Sequence, residues 1–222
     1  MRIKVNNVEL NYQQVGSGHP LVLLHGNQED SSIFDKIIAP LALYYTVYAI
    51  DARGHGLSEA TGEYHYQTYV EDVAAVIRKL NLRHPFVFGY SDGGIVGLML
   101  ASQYPNMIPR LMVAGANVNP DGLLKSEQFK TNFLNFFQRK QEVTMMLTEP
   151  DVTDAELKRI KSKTLCVVGE KDVVKVEHTR EFAEKIPDSR IVVMPRQTHS
   201  SYVVHSLKLL GLMKDFFVEE EK

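Results

Sequence analysis

The sequence holds a single cysteine, Cys166, so no internal disulfide can form, and its place in the apolar run Thr164–Val168 marks it as a core residue. That usage fits a reducing compartment. There is no excess of one charge either. Lysine and arginine number 25 against 27 acidic residues, for a formal net charge of -2, which is too small to attract nucleic acid or a strongly anionic membrane. Long apolar runs are missing. None approaches the roughly 20 residues that cross a bilayer, and the start, Met1-Arg2-Ile3-Lys4-Val5, alternates apolar with polar where a signal peptide would be apolar. Internal repeats and low-complexity linkers are also lacking. With 222 residues, 44% hydrophobic and 23% charged, these absences predict one soluble globular domain, expected to be cytoplasmic, with no nucleic-acid partner and no membrane insertion.

Short apolar runs separated by helical patterns make up most of the chain. Arg2–Val5 and Val8–Val15 read as strands joined by Asn6-Asn7, since asparagine tolerates positive φ. Leu21–Leu24, Thr46–Ile50, Pro85–Gly89, Leu111–Ala114, Thr164–Val168 and Arg190–Met194 read as buried strands. Between them lie helical patterns at Ser31–Leu43, Tyr69–Leu80, Ile95–Tyr104, Glu177–Ile186 and Ser201–Phe217. Residues 117–163 break the alternation. Phe129, Phe133, Phe136 and Phe137 fall at helical spacing, Thr153-Asp154-Ala155-Glu156 is a capping box, and no β pattern is visible. The fold class is therefore α/β, a mostly parallel central sheet with helices on both faces. Its core spans 1–116 and 164–222, with a short helical insertion at 117–163. In such sheets, sites form outside the carboxyl ends of the strands.

Gly89-Tyr90-Ser91-Asp92-Gly93 is a G-x-S-x-G motif between a strand and a helix, the context in which a strained serine becomes an exposed nucleophile. A serine needs a base, and the base an orienter. His199 follows the last strand and reaches the rim that carries Ser91; His205 is the fallback. Asp172 follows strand Thr164–Val168 and is the acid chosen, ahead of Glu170 nearby and Asp121 after the preceding strand. The oxyanion donors are the backbone N–H of Asp92, at a helix N-terminus, and that of Asn27, next after His25-Gly26. His25 itself reads as a residue that fixes its loop.

His25-Gly26-Asn27, Asp51-Ala52-Arg53-Gly54-His55-Gly56-Leu57-Ser58, Gly89–Gly94, Gly169-Glu170-Lys171-Asp172 and Thr198-His199 occur in one order, and together they resemble the α/β-hydrolase superfamily. The resemblance covers nearly the whole chain. It implies a Ser–Asp–His triad with no metal and no organic cofactor, a structural role for Asp51–Ser58, and a lid at 117–163. That lid is short, so an open cleft is expected. A serine nucleophile sets the chain apart from the aspartate-nucleophile dehalogenases and epoxide hydrolases. Ser91-Asp92-Gly93-Gly94 is similar to the elbow of valacyclovir-hydrolase-like esterases, where the aspartate is associated with the substrate's amino group. Asp92 is thus a candidate substrate-binding residue, and an acid in a helix's first turn is favourable without any ligand. Phe133, Phe137, Met145 and Met146 are candidates for the acyl-pocket wall.

The function expected is hydrolysis of small carboxylic esters through an acyl-enzyme, with a small-molecule ester as the partner. The same triad serves a thioesterase, a lactonase, a C–C hydrolase or a cofactor-free perhydrolase, and the same fold serves a non-catalytic ligand receptor.

Overall fold

The computed structural model describes residues 1–62, 64–128 and 140–218. Eight strands form one sheet: β1 (Arg2–Val5), β2 (Val8–Val15), β3 (His19–Leu24), β4 (Tyr45–Ile50), β5 (Phe86–Tyr90), β6 (Arg110–Ala114), β7 (Lys163–Lys171) and β8 (Ser189–Thr198). Their spatial order is β1-β2-β4-β3-β5-β6-β7-β8. β1 and β2 form an antiparallel hairpin turned by Asn6 and Asn7, both at positive φ, and β2 runs antiparallel to β4. From β4 to β8 every neighbouring pair is parallel.

Period-2 alternation divides the strand side chains between two layers. On one face Val22, Leu24 and Val87 pack with Tyr69, Val73 and Ile77 of helix α2 (Tyr66–Lys79), Ile95 and Leu98 of α3 (Asp92–Gln103), and Phe182 of α6 (Val176–Ala183). On the other, Leu21, Leu23, Phe86 and Phe88 meet Ile37 and Leu41 of α1 (Asp35–Leu41), and Met213 and Phe216 of α7 (Leu210–Phe216). Both faces of the middle strands are buried, which is why those runs are almost purely apolar.

Between β6 and β7 lie a 3-10 turn (Pro120–Gly122), α4 (Gln141–Thr148) and α5 (Asp154–Leu157). The capping box at Thr153 and Glu156 is present in both directions. Leu123 of this segment also forms an antiparallel bridge with Val174, just after β7, which no apolar pattern announced.

Four elements depart from the sequence reading. β7 and β8 run on to Lys171 and Thr198, where loops were expected, because a register shift at Gly169–Lys171 lets Lys171 pair with Thr198. The helical pattern at Ser31–Leu43 splits into a 3-10 turn (Ser31–Phe34), capped by Asp30, and α1. The last helix begins at Leu210 rather than Ser201. Tyr202 and Val203 reach the core from a series of turns, held by the His205 N–H donating to the Ile33 carbonyl (2.8 Å) and by the Lys208 ammonium on Gln197 Oε1. Apolar spacing is the same in both cases, so periodicity could not separate them.

Candidate active site

β5 ends at Tyr90, and Ser91 turns the chain into α3 with φ 52° and ψ -118°, a strained conformation for a residue with a side chain. Its N–H donates to the Ala114 carbonyl (2.8 Å), and its own carbonyl accepts from Gly94 and Ile95 at the start of α3. The flanking glycines are steric requirements. A Cβ on Gly89 would collide with the Gly93 carbonyl oxygen, and one on Gly93 with the Leu24 carbonyl oxygen.

His199 follows β8 and arrives with Nε2 3.0 Å from Ser91 Oγ and Nδ1 2.5 Å from Asp172 Oδ1. With Asp172 ionised, Nδ1 carries the proton and Nε2 is left to accept from the serine hydroxyl. The Asp172 side chain is fully buried. Oδ1 also accepts from the Val174 N–H, and Oδ2 accepts from the Gly169 N–H and the Tyr202 hydroxyl, each at 3.1 Å. Burial pushes this carboxyl up. The hydrogen bond and charge of His199 and the two backbone N–H groups outweigh it and hold the carboxyl below its ordinary value. Gly115, at φ 61°, leaves room for the imidazole; a Cβ there would lie 2.8 Å from His199 Cε1.

Across the serine, the loop after β3 carries Asn27. His25 is buried and pins this loop: Nδ1–H donates to the Gly26 carbonyl (2.8 Å), and Nε2 accepts from the Ala52 N–H (2.9 Å). Burial lowers its pKa to about 4, so it stays neutral and keeps that tautomer. The Glu29 carboxylate accepts from the Gly26 N–H (3.1 Å). Among the described residues, neither the Asn27 nor the Asp92 backbone N–H donates to a protein acceptor, and both residues line the cleft at Ser91. The Asp51–Ser58 loop is held by structure-building contacts. Asp51 accepts from the Ser31 and Leu57 N–H groups, and Arg53 forms a buried two-pronged ion pair with Asp72.

The cleft at Ser91 has a volume of about 270 Å³, and its walls include Asn27, Glu29, Asp92, Met146, Val174 and His199. Of the residues proposed from sequence, Ser91, Asp92, Asn27, His199 and Met146 line it, and Asp172 lies directly behind His199. Met145 does not; it is 2% exposed and packs into the core, because neighbours on one helix face different ways. Phe133 and Phe137, with Phe129 and Phe136, lie outside the described residues. The Asp92 side chain is buried and already bonded to Asn27 Nδ2 and the Tyr66 hydroxyl, both at 2.8 Å. The alternatives are engaged elsewhere. His205 pairs with Asp35, Glu170 accepts from the Arg196 N–H, and Asp121 is exposed. Among the described residues, no group of three or more His, Cys, Asp or Glu side chains converges as metal ligands would.

Glu29, Tyr66 and Tyr202 belong to this site and were not singled out from sequence. Glu29 had a signal, since it sits in the polar run Asn27-Gln28-Glu29-Asp30 right after His25-Gly26. Tyr66 and Tyr202 had none, because their partners are 26 and 30 residues away.

An eight-stranded, mostly parallel sheet with a serine on the turn after its central strand, facing a histidine and a buried aspartate, defines an α/β hydrolase. The family model for the alpha/beta hydrolase fold matches residues 19–141, and the chain belongs to that family. The chain is 28% identical over 170 residues to the uncharacterized hydrolase YraK of Bacillus subtilis, covering 73% of this chain and 62% of that protein. It is 33% identical over 109 residues to the 2-(acetamidomethylene)succinate hydrolase of Mesorhizobium japonicum, covering 48% of this chain and 39% of that protein. In both cases the match spans less than two thirds of the relative's own length. The human serine hydrolase BPHL is 26% identical over 247 residues, covering 97% of this chain and 85% of that protein. Among solved structures, the enol-lactonase of Burkholderia xenovorans matches with a TM-score of 0.80 at 21% identity, over 99% of this chain and 100% of that one. Among the described residues, no helix is long and apolar enough to cross a membrane.

Proposed function

We propose that this hydrolase cleaves small carboxylic esters through an acyl-enzyme. The observation that carries the reading is the hydrogen-bonded line from Ser91 Oγ through His199 to Asp172, at 3.0 and 2.5 Å. His199 Nε2 takes the hydroxyl proton as Oγ bonds to the ester carbon, and the carbonyl π pair moves onto oxygen. The Asn27 and Asp92 N–H groups receive that oxyanion, and the start of α3 adds a favourable dipole. As the oxyanion collapses, the C–O bond to the alcohol breaks and His199 returns its proton to the departing oxygen. Water then attacks the acyl-enzyme by the same route. It gives a proton to His199, which passes it to Ser91 Oγ as the acid leaves. Asp172 keeps the imidazole oriented and favours its charged form.

The cleft volume is at the low end of the few hundred to a thousand Å³ usual for ligand pockets, which supports a small substrate. Leu123, Met146, Val173 and Val174 supply apolar wall for the acyl group, the first two from the insertion between β6 and β7. The likeness to a relative named a serine hydrolase, over 97% of this chain, supports a serine nucleophile. A fluorophosphonate probe should label the wild-type protein and leave Ser91→Ala unlabelled. An alanine variant that hydrolyses p-nitrophenyl acetate as fast as wild type would overturn the mechanism.

A further inference from the structure

We propose that the Asp92 side chain is a positioning group that holds Asn27 and makes its oxyanion-donating backbone depend on the docking of α4. Three observations lead there, and the catalytic part rests on the ester-hydrolase reading above.

The first is occupancy. Asp92 is 4% exposed, and a buried carboxylate is tolerated only with partners. Oδ2 accepts from Asn27 Nδ2 and Oδ1 from the Tyr66 hydroxyl, on two other elements. Each oxygen is already bonded to a neutral protein donor, and Tyr66 is 1% exposed.

The second is the Asn27 amide. Its other Nδ2 hydrogen donates to the Glu142 carbonyl (2.9 Å) in the first turn of α4. Two acceptors on the nitrogen fix the amide orientation, since the flipped form would face two acceptors with its oxygen. Asn27 Oδ1 is left buried without a protein partner, so no other bond sets this side chain.

The third is closure. Glu149, just past the end of α4, accepts from the Tyr66 N–H (3.2 Å) and faces His65 Nδ1 (2.7 Å). Tyr66 therefore grips Asp92 by its hydroxyl and α4 by its backbone. The path runs from Asn27 to Asp92, Tyr66 and Glu149, back along α4 to Glu142, and on to Asn27. Four segments share this ring: the loop after β3, α2, α3 and α4. Opening it at Glu149, outside the catalytic cleft, loosens the hold on Asn27 at the other end. Buried polar groups left unpaired make such a ring cooperative.

The test compares full-length wild type with Tyr66→Phe, Glu149→Ala and Asp92→Asn, each of which leaves the backbone intact. Thermal melts report that each is folded. Hydrogen exchange is read at 25–29 and 141–148. Tyr66→Phe and Glu149→Ala should each speed exchange in both segments together. With p-nitrophenyl butyrate each should lower kcat about threefold to tenfold with KM within about twofold, a partial loss of one oxyanion donor. Their double variant should lose less than the product of the two effects, because both open one ring. Unchanged exchange at 25–29 overturns the proposal. So does an Asp92→Asn variant that is impaired only on amine-bearing esters, which would make the carboxylate a substrate ligand. A wild-type protein that turns over no ester and takes no fluorophosphonate defeats the hydrolase reading, while the exchange measurement still decides the coupling.

Discussion

His199 Nε2 lies 3.0 Å from Ser91 Oγ although 108 residues separate the two. Parallel strands bring them together. β5 and β8 both deliver their carboxyl ends to one edge of the sheet, and the chain leaves each strand there.

The histidine's proton placement depends on Asp172. Asp172→Asn should reduce kcat about 10³- to 10⁴-fold, since the amide favours the wrong tautomer. The stability sign follows from the depressed carboxyl, opposed by burial and won by His199 and the backbone N–H groups. A depressed acid stabilises the fold above its unfolded-state value, and that contribution is lost as pH falls through the lower folded value. Urea melts between pH 6 and pH 2 should therefore show a shallower acid loss for the variant than for wild type; parallel curves would remove the linkage.

His25 predicts a second acid-side loss. Its pKa falls from 6.5 to about 4 in the folded protein. The stability is fully present above 6.5 and declines as pH drops toward 4, a loss of about 3 kcal/mol by linkage. His25→Asn should be less stable at pH 8 and should lose less stability between pH 6.5 and 4. Denaturant midpoints measured across that range check it.

Glu29 has the opposite sign. Burial raises its carboxyl, with the Gly26 N–H and His199 pulling the other way. The ionised form is then disfavoured in the fold, and the cost is present above the raised value. Glu29→Gln should raise Tm by about 1–3 °C at pH 8 and by nothing at pH 3. Glu29 and Asp92 also put two acidic side chains on the cleft wall. The same variant should improve kcat/KM for a hemisuccinate ester about fivefold relative to a neutral ester of equal length.

Gly93→Ala should be inactive and destabilised by about 3 kcal/mol, because its Cβ would strike the Leu24 and His25 carbonyl oxygens. A Tm within 1 °C of wild type by calorimetry would show that α3 can shift at little cost.

Much of this could be read from residue order. Each apolar run marked a strand, buried except at the sheet edge, where β8 has no buried residue, and each strand's last polar residues marked the rim. Ser91, Asp172, His199 and Asn27 were placed by that rule alone. Element ends were less legible. β8 was extended to Thr198 by pairing with β7, and the turns around Tyr202 replaced helix because of contacts with Ile33 and Gln197. Met145 and Met146 could not be told apart without knowing which face α4 buries.

Asp92 is where the two kinds of information divide. The amino-acid order alone determined that an acid follows Ser91 at a helix start, since that depends only on neighbours along the chain. It also determined the glycines at 89 and 93, the β/α alternation and the family. The direction of the Asp92 carboxylate was decided by tertiary structure. Its partners, Tyr66 and Asn27, lie 26 and 65 residues away, and burial forces it to use them. A buried charge takes whatever donors the packed fold supplies, and no local pattern encodes which ones those are.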